Sequence, residues 1–268
     1  MIIDGRAIAR EILTEVKGRT ARLSQPPSFL AIAVAPLPTT ESYLKMKREQ
    51  ASSVGIHMNV HILNHAMTDE LVAILGQVRE DAVIVQLPMP DNIDMRRVLD
   101  AIPVDKDADV LAAPTRAIRT SVHPVAAAVH EVLVRADVDP RGKRATVVGK
   151  GWLVGAPTAA WLEAVGAQVT VVTKSEGDLA KALKDAEIVI SGAGVAGLVT
   201  KEMITPGAVV IDVGTSELGG SMKGDIAPDV AEIASIFTPV PGGMGPITVA
   251  CLLRNVVTLA EGKNELTL

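Results

Sequence analysis

The sequence predicts a mostly parallel α/β protein built as two lobes. Three observations carry that expectation. Apolar runs of strand length alternate with amphipathic helical patterns along nearly the whole chain, as strand–helix–strand units require. The 268 residues give enough chain for more than one core of ordinary size. The alternation also lapses once, over residues 103–120, and then restarts. The first lobe is expected over residues 1–120, with the closing helix 247–268 packing back on it, and the second over 121–246.

Residues 6–22 carry apolar positions at helical spacing and end before Pro26 and Pro27, which cannot continue a helix. Residues 29–35 read as a strand, 40–54 as a helix stopped by Gly55, 58–63 as a strand and 68–78 as a helix. Residues 82–87, apolar except for Gln86, read as a buried strand closed by Pro88 and Pro90. A short helix at 95–102 precedes the irregular stretch. Helix resumes at 123–134. Strands are then expected at 145–148, 168–172, 188–191 and 208–213, with helices at 157–165 and 178–184 between them. A Gly-Gly turn at 219–220 suggests a small hairpin, residues 237–245 a Pro/Gly loop, and 247–260 a closing helix.

Composition removes several function classes. The 26 basic against 31 acidic side chains argue against a phosphate-backbone partner. Two Phe, two Trp and one Tyr leave almost no platform for stacking bases, so no nucleic-acid partner is expected. No uncharged apolar run approaches the roughly 18 residues of a membrane span, and the start, MIIDGRAIAREIL, lacks the features of a secretory signal. Cys251 is the one cysteine, which excludes an internal disulfide. Five histidines show no metal-binding spacing beyond a strand-like alternation, so no metal is expected. A soluble cytoplasmic protein is the reading.

The segment ATVVGKGWLVGAPTAAWLEAVGAQVTVVTK runs strand, glycine turn, helix, strand within about 30 residues, as a Rossmann-like dinucleotide lobe does. Gly149, Gly151 and Gly155 space as GxGxxxG, one residue longer than the commonest fingerprint. An ordinary tight turn between strand and helix is the competing reading. Where an NAD-binding lobe usually offers an acid to the ribose, this chain has Thr173, Lys174 and Ser175, with Lys150 inside the glycine turn. Lysines and hydroxyls suit a 2′-phosphate, so NADP is expected over NAD, although solvated lysines at strand ends would look the same. Further glycine turns, with Ala193 and Gly194 in SGAG, Gly214 and Thr215 in IDVGT, and PVPGGMGP, each follow a short strand. Strand carboxyl ends line the ligand crevice of an open parallel sheet.

In the first lobe Tyr43 and Lys47, at i and i+4 in ESYLKMKREQ, share one helical face beside Ser42. Gln86 ends a buried apolar strand, where an amide needs a partner or a cleft. Asp107 and Asp109 form a polar patch in VDKDADVL. Lys47 by itself reads sooner as a solvated helix-face lysine among Lys45, Arg48 and Glu49 than as a site residue. A desolvated lysine, by contrast, has a lowered pKa and can act as base near neutrality.

Taken together, IIDGRAIA, SYLKMK, VQLPMP, KDAD, VVGKGWLVGAP, VVIDVG, GDI and TPVPGGMGPIT resemble the bifunctional methylenetetrahydrofolate dehydrogenase/cyclohydrolase family, in order and over nearly the whole chain. VQLPxP and TPVPGGxGPxT are the specific part of the match. The resemblance implies two α/β lobes with a cleft, a homodimer formed through the nucleotide lobes, oxidation of methylenetetrahydrofolate with NAD(P), and hydrolysis to formyltetrahydrofolate. It also implies roles. Lys47 would be general base and proton shuttle, Tyr43 would pack against the folate, and Gln86 would tune Lys47. Asp109 would grip the pterin, with Ser42, Leu87, Pro88, Gly243 and Thr248 around the substrate. Gly149, Lys150, Gly151, Val154, Gly155, Thr173, Lys174, Ser175, Ala193, Gly194, Gly214 and Thr215 would line the cofactor site.

The chain departs from the family pattern in places. Gly149-Lys150-Gly151 stands for the usual GRS, Thr173-Lys174 for a His-Ser-type pair, and His123-Pro124 for Thr-Pro. Val110 replaces the glycine that usually follows KDVD, and the stretch beyond it is shorter. A monofunctional dehydrogenase of the same fold, or a nucleotide-binding subunit without catalysis, therefore stays open on sequence alone.

Overall fold

The computed structural model describes residues 1–112, 122–173, 178–218 and 221–262. In chain order it gives α1 (Gly5–Thr20), β1 (Ser28–Val34), α2 (Pro38–Ser53), β2 (His57–Leu63), α3 (Thr68–Leu75), β3 (Ala82–Val85), α4 (Met95–Asp100) and α5 (Pro124–Arg135). There follow β4 (Arg144–Val148), α6 (Gly155–Ala164), β5 (Gln168–Val172), α7 (Leu179–Leu183), β6 (Ile188–Ser191), β7 (Val209–Asp212), β8 (Ser216–Leu218), β9 (Ser221–Lys223), β10 (Ile236–Phe237) and α8 (Met244–Ala260). Short 3-10 turns at Lys201–Met203 and Pro228–Glu232 complete the described elements. The expected Gly219–Gly220 hairpin tip and the stretch 113–121 lie outside the described residues.

The chain divides into two compact units: a first, Glu11–Pro124 with Val249–Leu268, and a second, the nucleotide unit, Met1–Arg10 with Val125–Thr248. The division falls within α1 and within α8. One boundary corrects the expectation. Residues 1–10 go with the nucleotide unit and not with the first lobe, because Ile2 bridges Phe237 in parallel and Ile3 N donates to Phe237 O at 2.9 Å. The chain start thus adds to the sheet edge at β10. The end of α8 falls in the first unit, and Asn255 Nδ2 there donates to the Ala108 and Val122 carbonyls, each at 2.9 Å.

The first unit holds a three-stranded parallel sheet ordered β2-β1-β3. The second holds a five-stranded parallel sheet ordered β10-β7-β6-β4-β5. Burial follows position in the sheet. The central strands β6 and β7 are buried at every residue and β1 and β4 at all but their first, whereas the edge strands β2 and β5 are mostly exposed; β3, an edge strand, is buried throughout, with Val83 bridged in parallel to Asp107. Central strands are covered on both faces and so read as continuous apolar runs.

Both sheets share one topological feature. In each, the first strand of the series lies between the second and the third, so the strand order reverses beside the first strand. Ligands in open α/β sheets bind at that reversal, outside the strand carboxyl ends. In the first unit this point lies past β1 and β3, and Gln86 immediately follows β3. In the second it lies past β4 and β6, where the turns at Gly149 and Gly192 begin.

Candidate active site and dinucleotide turns

Helix α2 opens with Pro38 in its first turn and Glu41 near its N-terminus, both favourable there. It stops before Gly55, whose φ of +81° suits glycine. Leu44, Lys47 and Ala51 are its buried residues. Their 3- and 4-residue spacing puts a lysine on the apolar stripe of the helix. Lys47 is only 6% exposed, which decides against the solvated reading.

Lys47 Nζ donates to Gln86 Oε1 at 3.0 Å and lies 4.7 Å from the centre of the Tyr43 ring. Gln86 is held at both ends. Its backbone N–H donates to Ile32 O at 2.8 Å, and its side-chain amide to Leu87 O at 2.8 Å. The amide therefore has one orientation available, oxygen toward Lys47. Burial lowers the Lys47 pKa from the ordinary lysine value, and the charge of Asp109 opposes that shift. Burial pushes the Tyr43 hydroxyl up to about 12, Asp109 adding to it.

Asp109 is pushed up to about 6, first by burial and further by Asp107, while Lys47 pulls it down. Asp107 is fully buried, and its Oδ2 accepts from Ala112 N at 2.9 Å, closing the loop that carries Asp109. Val110, within that loop, has φ +56°. The backbone keeps a left-handed conformation that a β-branched residue disfavours by roughly 1–2 kcal/mol. Val110 is 4% exposed, so burial of its methyl groups offsets the strain.

The structure thus gathers Tyr43, Lys47, Gln86 and Asp109 into one cluster, with Leu87 and Pro88 immediately beyond Gln86. Ser42 lies on the exposed side of α2, its hydroxyl donating to Pro38 O at 2.9 Å. Gly243 and Thr248 fall in the other unit. Gly243 is a glycine for an internal reason, since a Cβ there would lie 2.5 Å from Pro239 O. Gly5 meets it from α1, where an added Cβ would lie 1.8 Å from Gly243 O. Asp4 caps that helix by accepting from the Arg6 and Ala7 N–H groups at 3.0 Å each.

The three glycines of the β4–α6 turn have three separate reasons. Gly149 has φ +100° and abuts Gly192 O, 2.8 Å from where a Cβ would stand. Gly155 lets α6 press on β4, since its Cβ would lie 2.0 Å from Gly149 O. At Gly151 a Cβ would meet nothing within 4 Å. That open position is where a pyrophosphate would need the backbone bare. The residues fit a dinucleotide. Val154, half-buried, packs on Gly192, whose Cβ would collide with it. Lys150 is exposed and Thr173 half-buried at the end of β5. Lys174 and Ser175 lie outside the described residues.

Two buried aspartates that composition and spacing did not single out organise the neighbouring turns. Asp225 accepts from Ser191 Oγ (2.8 Å), Ala193 N (2.6 Å), Gly194 N (3.2 Å) and Val195 N (2.7 Å). Asp212 accepts from Gly214 N (3.0 Å), Asp225 N (3.2 Å) and Ile226 N (2.9 Å). Burial pushes Asp212 up to about 7, with Asp225 adding and the backbone donors opposing. The available signals were an acid inside the apolar strand VVIDVG and the short motif GDI. Thr215, beyond Gly214, is exposed.

The fold and site define a two-unit α/β enzyme class, with a desolvated lysine centre in one unit and a glycine-turn nucleotide site in the other. Family models for the tetrahydrofolate dehydrogenase/cyclohydrolase catalytic domain and NAD(P)-binding domain match residues 3–109 and 124–264. The bifunctional protein FolD of Moorella thermoacetica is 38% identical over 97% of this chain and 98% of its own. A crystal structure of the bifunctional FolD enzyme from Campylobacter jejuni superposes with TM-score 0.93 at 30% identity, covering 98% of this chain and 99% of that one. The Trypanosoma brucei FolD, solved with NADP cofactor and inhibitor, gives 0.91 at 34% identity, covering 98% and 97%. The chain belongs to the tetrahydrofolate dehydrogenase/cyclohydrolase family. Among the described residues no helix is long and apolar enough to cross a membrane.

Proposed function

We propose that this protein oxidises 5,10-methylenetetrahydrofolate to the 5,10-methenyl form with NADP and then hydrolyses that product to 10-formyltetrahydrofolate. The observation that carries the reading is the buried Lys47 amine, its Nζ donating to Gln86 Oε1 at 3.0 Å. When bound, the dinucleotide supplies the hydride acceptor. The chain's part in oxidation is orientation. Tyr43, Leu87 and Pro88 pack the folate, and Asp109 pairs with the donor edge of the pterin. Gly243 and Thr248 belong to the substrate side of the nucleotide unit. The turns at 149–155, 192–194 and 214–215 hold the dinucleotide, and by their chemistry Lys150, Thr173, Lys174 and Ser175 are the groups suited to a 2′-phosphate.

In hydrolysis, neutral Lys47 takes a proton from the water that attacks the methenyl carbon. The adduct collapses as its C–N5 bond breaks, N5 takes a proton from Lys47, and the formyl group stays on N10. The hydroxyl proton of the adduct leaves to solvent, so one proton is released overall. Gln86 keeps the lysine nitrogen on the reacting side, and burial lowers its pKa from the ordinary lysine value, which favours the neutral amine.

The formyl product suits one-carbon transfer reactions such as those of purine synthesis. A chain with one cysteine needs no oxidising compartment, which fits the cytoplasm. Two copies pair through their nucleotide units, a reading supported by Leu218 and Met222 at 63% and 55% exposure on the β8–β9 hairpin and by exposed Val171 on edge strand β5. Sedimentation reads that state directly.

The decisive experiment mixes purified protein with methylenetetrahydrofolate and either NADP or NAD and follows absorbance. Reduced cofactor forming with NADP, without lasting methenyl accumulation, is the expected result. Methenyl build-up would remove the hydrolytic half of the reading, and no reduction with either dinucleotide would overturn the oxidative half.

A further inference from the structure

The turn after β6 carries Gly192 and Gly194, and its backbone donors bond a side chain of the chain itself. The N–H groups of Ala193, Gly194 and Val195 form three successive donors around one point, the concavity that proteins use to bind anions. Here the anion is internal. Asp225 fills the concavity with both carboxylate oxygens and takes a fourth bond from Ser191 Oγ. Asp225 is fully buried, so these charge-assisted bonds form away from solvent.

A second carboxylate supports the first. Asp212 accepts the backbone N–H groups of Asp225 and Ile226, fixing the segment that delivers Asp225, and also accepts Gly214 N in the turn after β7. The packing is reciprocal. A Cβ on Gly214 would lie 2.0 Å from Asp225 Cγ, and a Cβ on Gly224 would lie 2.1 Å from Asp212 Oδ2. Gly192, at the head of the β6 turn, in turn touches Gly149 and Val154 of the fingerprint. One continuous set of contacts therefore runs from the aspartates through the β6 turn to the pyrophosphate turn.

We infer that Asp225 is a positioning residue for dinucleotide binding: as an internal anion in the 193–195 nest it sets the β6 turn against the glycine fingerprint, with Asp212 holding it in place. The turn meets the cofactor as a prearranged surface and not as a phosphate cradle, because its N–H groups are committed to Asp225. This inference rests on the dehydrogenase reading above.

Asp225→Asn keeps the side-chain shape but sets an amide NH2 against backbone donors. NADP binding, measured by calorimetry, is expected to weaken at least about tenfold. Hydrolysis of supplied methenyltetrahydrofolate, which consumes no dinucleotide, should stay within about threefold because Asp225 lies outside the unit that carries Lys47. Asp225→Ala leaves the nest vacant, and added formate should restore part of its NADP affinity while leaving wild-type affinity unchanged. Ser191→Ala, the mildest variant, should weaken NADP binding by a smaller factor in the same direction. NADP affinity unchanged in Asp225→Asn overturns the inference, as does a parallel loss of hydrolysis and affinity that formate does not reverse. If Asp225→Asn does not fold, unchanged affinity in Ser191→Ala overturns it. Wild-type protein that binds no NADP at all would instead sink the dehydrogenase reading.

Discussion

Lys47 Nζ and Gln86 Oε1 lie 3.0 Å apart although 39 residues separate them in sequence. Helix α2 brings the lysine and strand β3 ends at the glutamine. They meet where the strand order of the first sheet reverses. Because the Gln86 amide is pinned by the Leu87 carbonyl, the lysine has a fixed acceptor instead of a flexible one. A desolvated amine held in one place is what a general base requires.

Replacing Lys47 with Met retains the apolar stripe of α2 and removes the nitrogen. Hydrolysis of methenyltetrahydrofolate should fall by about 10²–10⁴-fold, the range for loss of a positioned acid–base group. NADP affinity should be unchanged. A variant that still hydrolyses at the wild-type rate would remove Lys47 from the chemistry.

The hydrolysis rate should rise with pH along a limb governed by the lowered Lys47 pKa, since the neutral amine is the active form. Asp109 raises that pKa, so Asp109→Asn should move the limb to lower pH. A rate-against-pH profile for both proteins checks the direction. A shift to higher pH would contradict the coupling.

Asp109 also carries a stability consequence. Its folded pKa, about 6, lies above the ordinary 3.8, so the folded state binds the proton more tightly. The stabilisation is fully present below the unfolded value and is lost as pH rises through the folded one. Asp109→Asn does not suffer that loss. Its thermal midpoint should exceed that of the wild type at about pH 8, with the gap closing towards about pH 4. Parallel melting curves across that interval would refute the burial argument.

At Val110 the left-handed φ makes the usual ranking of small residues invert. Alanine would keep most of the strain and lose the methyl burial, whereas glycine would lose the burial and relieve the strain. Val110→Ala should therefore be less stable than Val110→Gly, both falling below wild type by about 1–3 kcal/mol. Denaturant unfolding of the pair measures it, and alanine proving the more stable would mean the backbone relaxes.

Gly151 and Gly155 separate folding from binding. Gly155→Ala drives a Cβ into Gly149 O and should lower the melting temperature and the NADP affinity together. The Cβ of Gly151→Ala meets no protein atom within 4 Å, so this variant should melt normally while binding NADP at least about tenfold more weakly, since only the ligand is obstructed. Unchanged affinity would place the pyrophosphate elsewhere.

Much of this was legible before any coordinates. The central strands announced themselves as apolar runs because both faces are covered, and helix ends were marked by Gly55 and by the prolines. Tyr43 and Lys47 were paired by helical spacing, and Gln86 was marked as an amide closing an apolar strand. Other features were not legible. The first ten residues bind the far sheet through one bridge at Ile2 and Phe237, which no local pattern reports. The two-residue strand β10 is too short for any periodicity to show.

The sequence by itself determined the α/β class, the alternation of strands and helices, the glycine fingerprint and the identity of the lysine, glutamine and aspartate set, because these follow from local spacing and side-chain chemistry. Only the tertiary structure decided that Lys47 is buried rather than solvated, that Val110 preserves a glycine-like backbone, and that Asp225 fills a nest of backbone donors with Asp212 beneath it. Those outcomes depend on burial and on hydrogen bonds between segments distant in the chain. Desolvation and long-range hydrogen bonding are properties of the packed molecule, and no local window of sequence contains them.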